Sequence, residues 1–352
     1  MADVGGPAPY IYVSTRMRVR KAKLIPREEY LRMLNMSLPE ITRIIGETEY
    51  KKEIDELSSS FSGVNLIEVA LSWNLAKEYQ EILKITPSGL MKFVQSYLRH
   101  WDIQNVLTIL RGKTQGVKPG KIKEVLIPAG ELDRNVLDRL LAEDSPERIV
   151  EAVKGRRLGP VLAAGLHEAL EAGSFATLEN ELYKNLYGQM ISDAKGGIKG
   201  GHEFLGYIQT EIDTRNIMNL FRFRAQKTSG EAVKALLIPD GKAFSVDELV
   251  RMSSIESLDE LIEAAKKKAT DPELAEVFEE LRQQRPIHEV EVLLTNYQLK
   301  QMDRLSKLYP FSVLPILAYL EMKRYEVTNL RAVARGKEYG LPNERIESYL
   351  VM

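Results

Sequence analysis

Apolar residues along this chain recur at the three- and four-residue spacing of a helix face, most plainly between Leu66 and Leu110. Long helices are predicted there, with one break at Thr86-Pro87-Ser88. Shorter helices are marked by their first turns. Pro26-Arg-Glu-Glu29, Leu38-Pro39-Glu40, Ser145-Pro146-Glu147 and Asp271-Pro272-Glu273 each place a proline where no helical hydrogen bond is lost. Each also places an acid near the positive end of the helix dipole. Ser245 with Glu248, and Ser257 with Glu260, have the spacing of a capping box. Residues 1–10, Ser58 to Gly63, Gly112 to Gly120 and Asp193 to Gly201 read as a loose lead-in, a loop and two connectors. Lys121 to Leu126 reads as a short helix or turn, and the expected fold class is all-α.

A longer period overlies the helical one. Trp101-Asp-Ile-Gln-Asn105, Ile212-Asp-Thr-Arg-Asn216 and Tyr325-Glu-Val-Thr-Asn329 each continue to an arginine six residues beyond the asparagine, at intervals of 111 and 113 residues. The repeated positions are Asp102, Asn105 and Arg111; Asp213, Asn216 and Arg222; and Glu326, Asn329 and Arg335. Leu126-Ile-Pro-Ala-Gly130 returns as Leu237-Ile-Pro-Asp-Gly241 at the same interval, whereas the third copy offers Gly340-Leu341-Pro342, reached sooner. Upstream, Glu68 and Glu179 precede their asparagines by 37 residues, and Glu291 holds nearly the same place before Asn329. Self-similarity at a fixed period is the signature of a tandem array. Three homologous helical domains are expected, over 11–125, 126–236 and 237–352.

Within each copy the acid and the asparagine share one side of a helix, while the arginine sits about half a turn round. They cannot converge on a single ligand. Each is expected to tie its helix to a neighbouring helix end or loop, as a buried polar group needs a partner.

Formal net charge is −1, which argues against a dedicated nucleic-acid binder. The exception is a basic run, Arg16, Arg18, Arg20, Lys21 and Lys23. It reads as a solvated or salt-bridged face, with contact to an acidic partner or lipid headgroups as the alternative, in which Arg16, Arg18 and Arg20 are the candidate residues. There is no cysteine, so disulfide and thiolate chemistry are absent. No apolar stretch approaches the length of a membrane span, and no signal-peptide pattern follows the first charges.

Candidate chemistry is sparse. Lys195-Gly-Gly-Ile-Lys-Gly-Gly201 offers backbone N–H groups to a phosphate but lacks the order of a P-loop and reads as an interhelical turn. His167 and Glu171 stand one turn apart without a further histidine or cysteine to complete a zinc pattern. His100 is expected at a helix surface or interface beside Trp101, and His202 as a satisfied or exposed histidine, with a switchable loop group as the alternative. Tyr10, Tyr12, Tyr183 and Tyr187 have both a core reading and one as partner anchors. Lys266, Lys267 and Lys268 read as a solvated face. No cofactor, metal or catalytic group is expected.

Tyr12 through Leu24, Thr48-Glu-Tyr-Lys-Lys-Glu-Ile-Asp55, Trp101 to Asn105, Leu126 to Gly130 and Glu326 to Lys337 together resemble the C subunit of archaeal-type ATP synthases, related to the d subunit of vacuolar ATPases. The resemblance implies a non-enzymatic protein of three helical domains arranged as a funnel. It further implies an adaptor, seated on the membrane proteolipid ring and receiving central-stalk subunits, peripheral on the cytoplasmic face and without a transmembrane segment or nucleic-acid partner. A helical scaffold recruiting soluble partners is the alternative.

Overall fold

A computed structural model describes residues 8–226, 230–269, 271–283 and 285–352. Most of the predicted lead-in, residues 1–7, lies outside them, and Ala8 to Tyr10 are already helical. All regular structure among the described residues is α-helix.

The first group comprises α1 (Ala8–Lys21), α2 (Arg27–Met33), α3 (Leu38–Ile45) and α4 (Lys51–Leu57). A long hairpin follows, α5 (Gly63–Ile85) against α6 (Ser88–Leu98) and α7 (His100–Thr114). Only Arg99 separates α6 from α7, and its own backbone is helical (φ −60°, ψ −18°). Next come α8 (Pro119–Val125), α9 (Arg134–Ala142), α10 (Pro146–Ala152) and α11 (Gly159–Glu171), then the hairpin α12 (Ala176–Lys195) and α13 (Gly201–Gln226). After α14 (Glu231–Leu236), α15 (Val246–Ser253), α16 (Leu258–Lys268) and α17 (Pro272–Glu280), the last hairpin is α18 (Ile287–Leu308) and α19 (Leu314–Glu338), followed by α20 (Asn343–Glu347).

Local chemistry sets these ends. The Ser37–Glu40 and Ser245–Glu248 capping boxes begin α3 and α15, and Asp133, Ser145 and Asp271 accept from the first turns of α9, α10 and α17. Ser257 caps α16 by accepting from Glu260 N–H. Gly116 and Gly340 end α7 and α19 at φ +68° and +63°, and the next N–H in each case bonds back to the carbonyl of Gly112 or Gly336. That geometry suits glycine because a Cβ is disfavoured at positive φ.

Two predicted connectors are shorter than expected. α7 runs past Gly112 to Thr114, because Gly112 is a packing position: a Cβ there would fall on Ile122. The second begins only at Gly196, since Asp193 stays helical, held by Ser96, Arg99 and Lys92.

The hairpins pack in a closed order. α5 lies against α19, α19 against α18, α18 against α13, α13 against α12, and α12 against α6 and α7. The apolar faces form two clusters. The larger runs from α1 through Ile212 and takes in α19; the smaller joins the end of α13 to α14 through α18.

Candidate functional site

The three repeated asparagines make one bonding pattern. Asn105 donates to the Ile127 carbonyl (2.7 Å) and accepts the Ile127 N–H (2.9 Å). Asn216 makes the same pair with Ile238, and Asn329 with Val351, in each case 22 residues downstream. A carboxamide is suited to this because it presents a donor and an acceptor side by side. All three asparagines are buried.

The structure changes the alignment of the third copy. Leu350-Val351, not Gly340-Leu341-Pro342, stands where Leu126-Ile127 and Leu237-Ile238 stand. Gly340-Leu341 instead matches the helix-ending Gly116-Val117.

The repeated acids cap loops. Asp102 accepts from Glu131 and Leu132 N–H (both 2.9 Å), and Asp213 from Lys242, Ala243 and Phe244 (3.0, 2.7 and 3.3 Å). Burial pushes the Asp102 carboxyl up to about 6 against the pull of these donors, and raises Asp213 for the same reason. Gly130 and Gly241 are explained here: a Cβ on either would fall on the neighbouring carboxylate. Glu326 finds its backbone donor far upstream. It accepts from Ile25 N–H (2.6 Å), Tyr50 hydroxyl (2.7 Å) and Lys323 (2.7 Å). Leu132, Phe244 and Ile25 each stand two residues before a helix, namely α9, α15 and α2.

The repeated arginines reach outward to the repeated glutamates. Arg111 pairs with Glu179 (2.5 Å), Arg222 with Glu291 (2.5 Å), and Arg335 with Glu68 through two bonds (2.7 and 2.6 Å). The three pairs therefore run from first hairpin to second, second to third, and third back to first.

A second polar cluster, with less regular sequence signals, lies where α6, α7, α12, α13 and α19 meet. Tyr97 donates to Glu321 (2.5 Å), Tyr187 donates to Glu211 (2.7 Å), and Arg215 lies 4.0 Å above the Tyr183 ring. Burial raises the Glu321 carboxyl, opposed by Arg324 at 2.7 Å. His100 belongs here, at the interface between helices and not at the surface, the other expected position: it is buried, with Nδ1 2.8 Å from the Tyr97 carbonyl. Burial, with Arg324 and Arg215 nearby, lowers its pKa to about 3. Tyr183 and Tyr187 are buried too, so they are not surface anchors. The sequence holds one signal for this cluster. His100, Glu211 and Arg324 each stand two residues before a repeated acid, so one repeat position carries three unlike polar groups.

Arg16 and Arg18 are exposed on α1, whereas Arg20 is bound inward by Glu78 and Glu81. Tyr12 is exposed and Tyr10 half-buried. His167 and Glu171 form an exposed pair, and His202 is exposed as expected, at the start of α13, which corrects the loop alternative. Lys266 and Lys268 engage Glu279 and Glu248. No group of three metal-ligating side chains occurs among the described residues.

The family model for the ATP synthase (C/AC39) subunit matches residues 13–349. The chain belongs to this family. The A-type ATP synthase C subunit of Archaeoglobus fulgidus is 33% identical over 99% of this chain and 98% of its own length. The corresponding A-type proteins of Methanosarcina mazei and Haloferax volcanii are 35% and 34% identical, covering 99% and 100% of this chain and 94% and 100% of theirs. As a member of the C/AC39 family the chain is a non-catalytic stalk component of a rotary ATP synthase. Among the described residues no helix is long and apolar enough to cross a membrane.

Proposed function

We propose that this chain is the adaptor that couples the proteolipid ring in the membrane to the central shaft, held peripherally at the cytoplasmic face by the complex. Torque passing through such a part demands units that resist slipping past one another. The cyclic order of Arg111–Glu179, Arg222–Glu291 and Arg335–Glu68 carries the proposal, because each link joins one hairpin to the next and the last closes the circuit. Three homologous units then form the walls of one funnel. By sequence they span 11–125, 126–236 and 237–352. The Glu326–Ile25 bond supports assigning α2 through α4 to the third unit's tail, in the role that α9 through α11 have for the first.

In that assignment the nine repeat positions are framework. Arg16 and Arg18 remain for partner contact, with Arg20 holding α1 to α5. The direct experiment mixes the purified chain with detergent-solubilised proteolipid ring and, separately, with central-stalk subunits, and follows co-elution. Binding to both is expected. Binding to neither, with recovery of soluble partners instead, favours a free helical scaffold.

A further inference from the structure

Buried polar atoms normally find partners, and those that do not point to something the protein alone does not supply. Among the described residues, His100 Nε2, Glu321 Oε2 and Arg324 Nε are buried without a hydrogen-bond partner in the protein. All three residues line one cavity of about 20 Å³ at the meeting of α6, α7, α12, α13 and α19. Glu321 Oε2 is 2.7 Å from Arg324 Nη2, an ionic contact without aligned hydrogen-bond geometry, so its capacity as an acceptor is still open.

The protonation pattern follows from neighbours. The Tyr97 carbonyl can only accept, so His100 Nδ1 carries the hydrogen and, in the neutral ring, Nε2 is an acceptor. Arg324 Nε is a donor and Glu321 Oε2 an acceptor. The cavity thus asks for a group that donates twice and accepts at least once. A halide cannot donate, an ammonium cannot accept, and a metal cation would face Arg324. The volume exceeds the roughly 10–15 Å³ that one water needs.

We propose that a single structural water occupies this cavity and joins His100 of the first hairpin to Glu321 and Arg324 of the third. Such a water would satisfy all three atoms where the hairpins converge. It stands whether or not the chain acts as a rotor adaptor, because it rests only on the packing of these helices.

The test is a crystal structure of the full chain at a resolution that places waters, paired with ¹⁵N NMR of the histidine rings. Expected are a water about 2.7–3.2 Å from at least two of the three atoms, and a neutral His100 protonated at Nδ1 whose Nε2 shift is that of a hydrogen-bond acceptor. The resonance is assigned by its loss in His100→Asn, and the crystal structure stands without that variant. An empty cavity, an ion at the site, or a His100 ring protonated at Nε2 overturns the proposal.

Discussion

At the scale of single residues, burial decides which repeated contact matters. The asparagine of each copy satisfies both backbone groups of one buried residue, and removing it strands them. Leaving a buried donor or acceptor unpaired costs about 1–3 kcal/mol. The arginine–glutamate pairs are about 40% exposed on the arginine side, where such pairs contribute about 0.2–1 kcal/mol. Asn216→Ala is therefore expected to lower unfolding free energy by at least about 1 kcal/mol in urea titration, and Arg222→Ala by less. Equal effects, or an unchanged transition in both, contradict that ranking. His100 supplies a pH dependence whose sign is fixed. Its pKa falls from 6.5 to about 3 on folding, so between those values the unfolded chain binds a proton that the folded chain does not. Stability from this group is full above pH 6.5 and is lost as pH falls through the window, at up to about 1.4 kcal/mol per pH unit. Asp102 has the opposite sign, since its raised value gives the folded chain the extra proton between 3.8 and about 6. The stability difference between wild type and His100→Asn should grow with pH from about 3 to 6.5 and then level off. A flat difference removes His100 as the cause.

At the scale of elements, helix starts are legible in the sequence because their chemistry is local. Proline, a capping oxygen or both, with an early acid, mark α2, α3, α10, α15 and α17 within four residues of sequence. Helix ends are less legible. Gly112 resembles the start of a connector, yet its lack of a side chain serves the close approach of Ile122 inside a helix. Leu350-Val351 lacks the proline and glycine of its counterparts, and only the bond to Asn329 reveals it. Gly130 makes the local logic testable. Gly130→Ala should destabilise the chain by forcing Asp102 off its two backbone donors. The same change should cost less in an Asp102→Ala background, where that carboxylate is gone, and a double-mutant cycle in urea measures the difference. Additive effects would show that glycine is required there for another reason.

At the scale of the whole molecule, the candidate framework is legible in part. Both echoes, the arginine and the upstream glutamate, can be read from the chain, but not their pairing, because each arginine finds the glutamate of a different hairpin. Arg20 illustrates the same limit: its partners Glu78 and Glu81 lie 58 and 61 residues away. Arg16→Glu with Arg18→Glu should weaken assembly with the ring or stalk while leaving the unfolding transition of the isolated chain unchanged. Arg20→Glu should instead destabilise the chain, by placing a third carboxylate against Glu78 and Glu81. The central claim, that the chain bridges ring and shaft, is tested most directly by crosslinking mass spectrometry on the native complex purified from detergent-solubilised membrane. The adaptor account predicts crosslinks from this chain to a proteolipid subunit and to a central-stalk subunit within one complex. Crosslinks to only one of the two, or a chain that leaves the membrane fraction with soluble partners alone, contradict it.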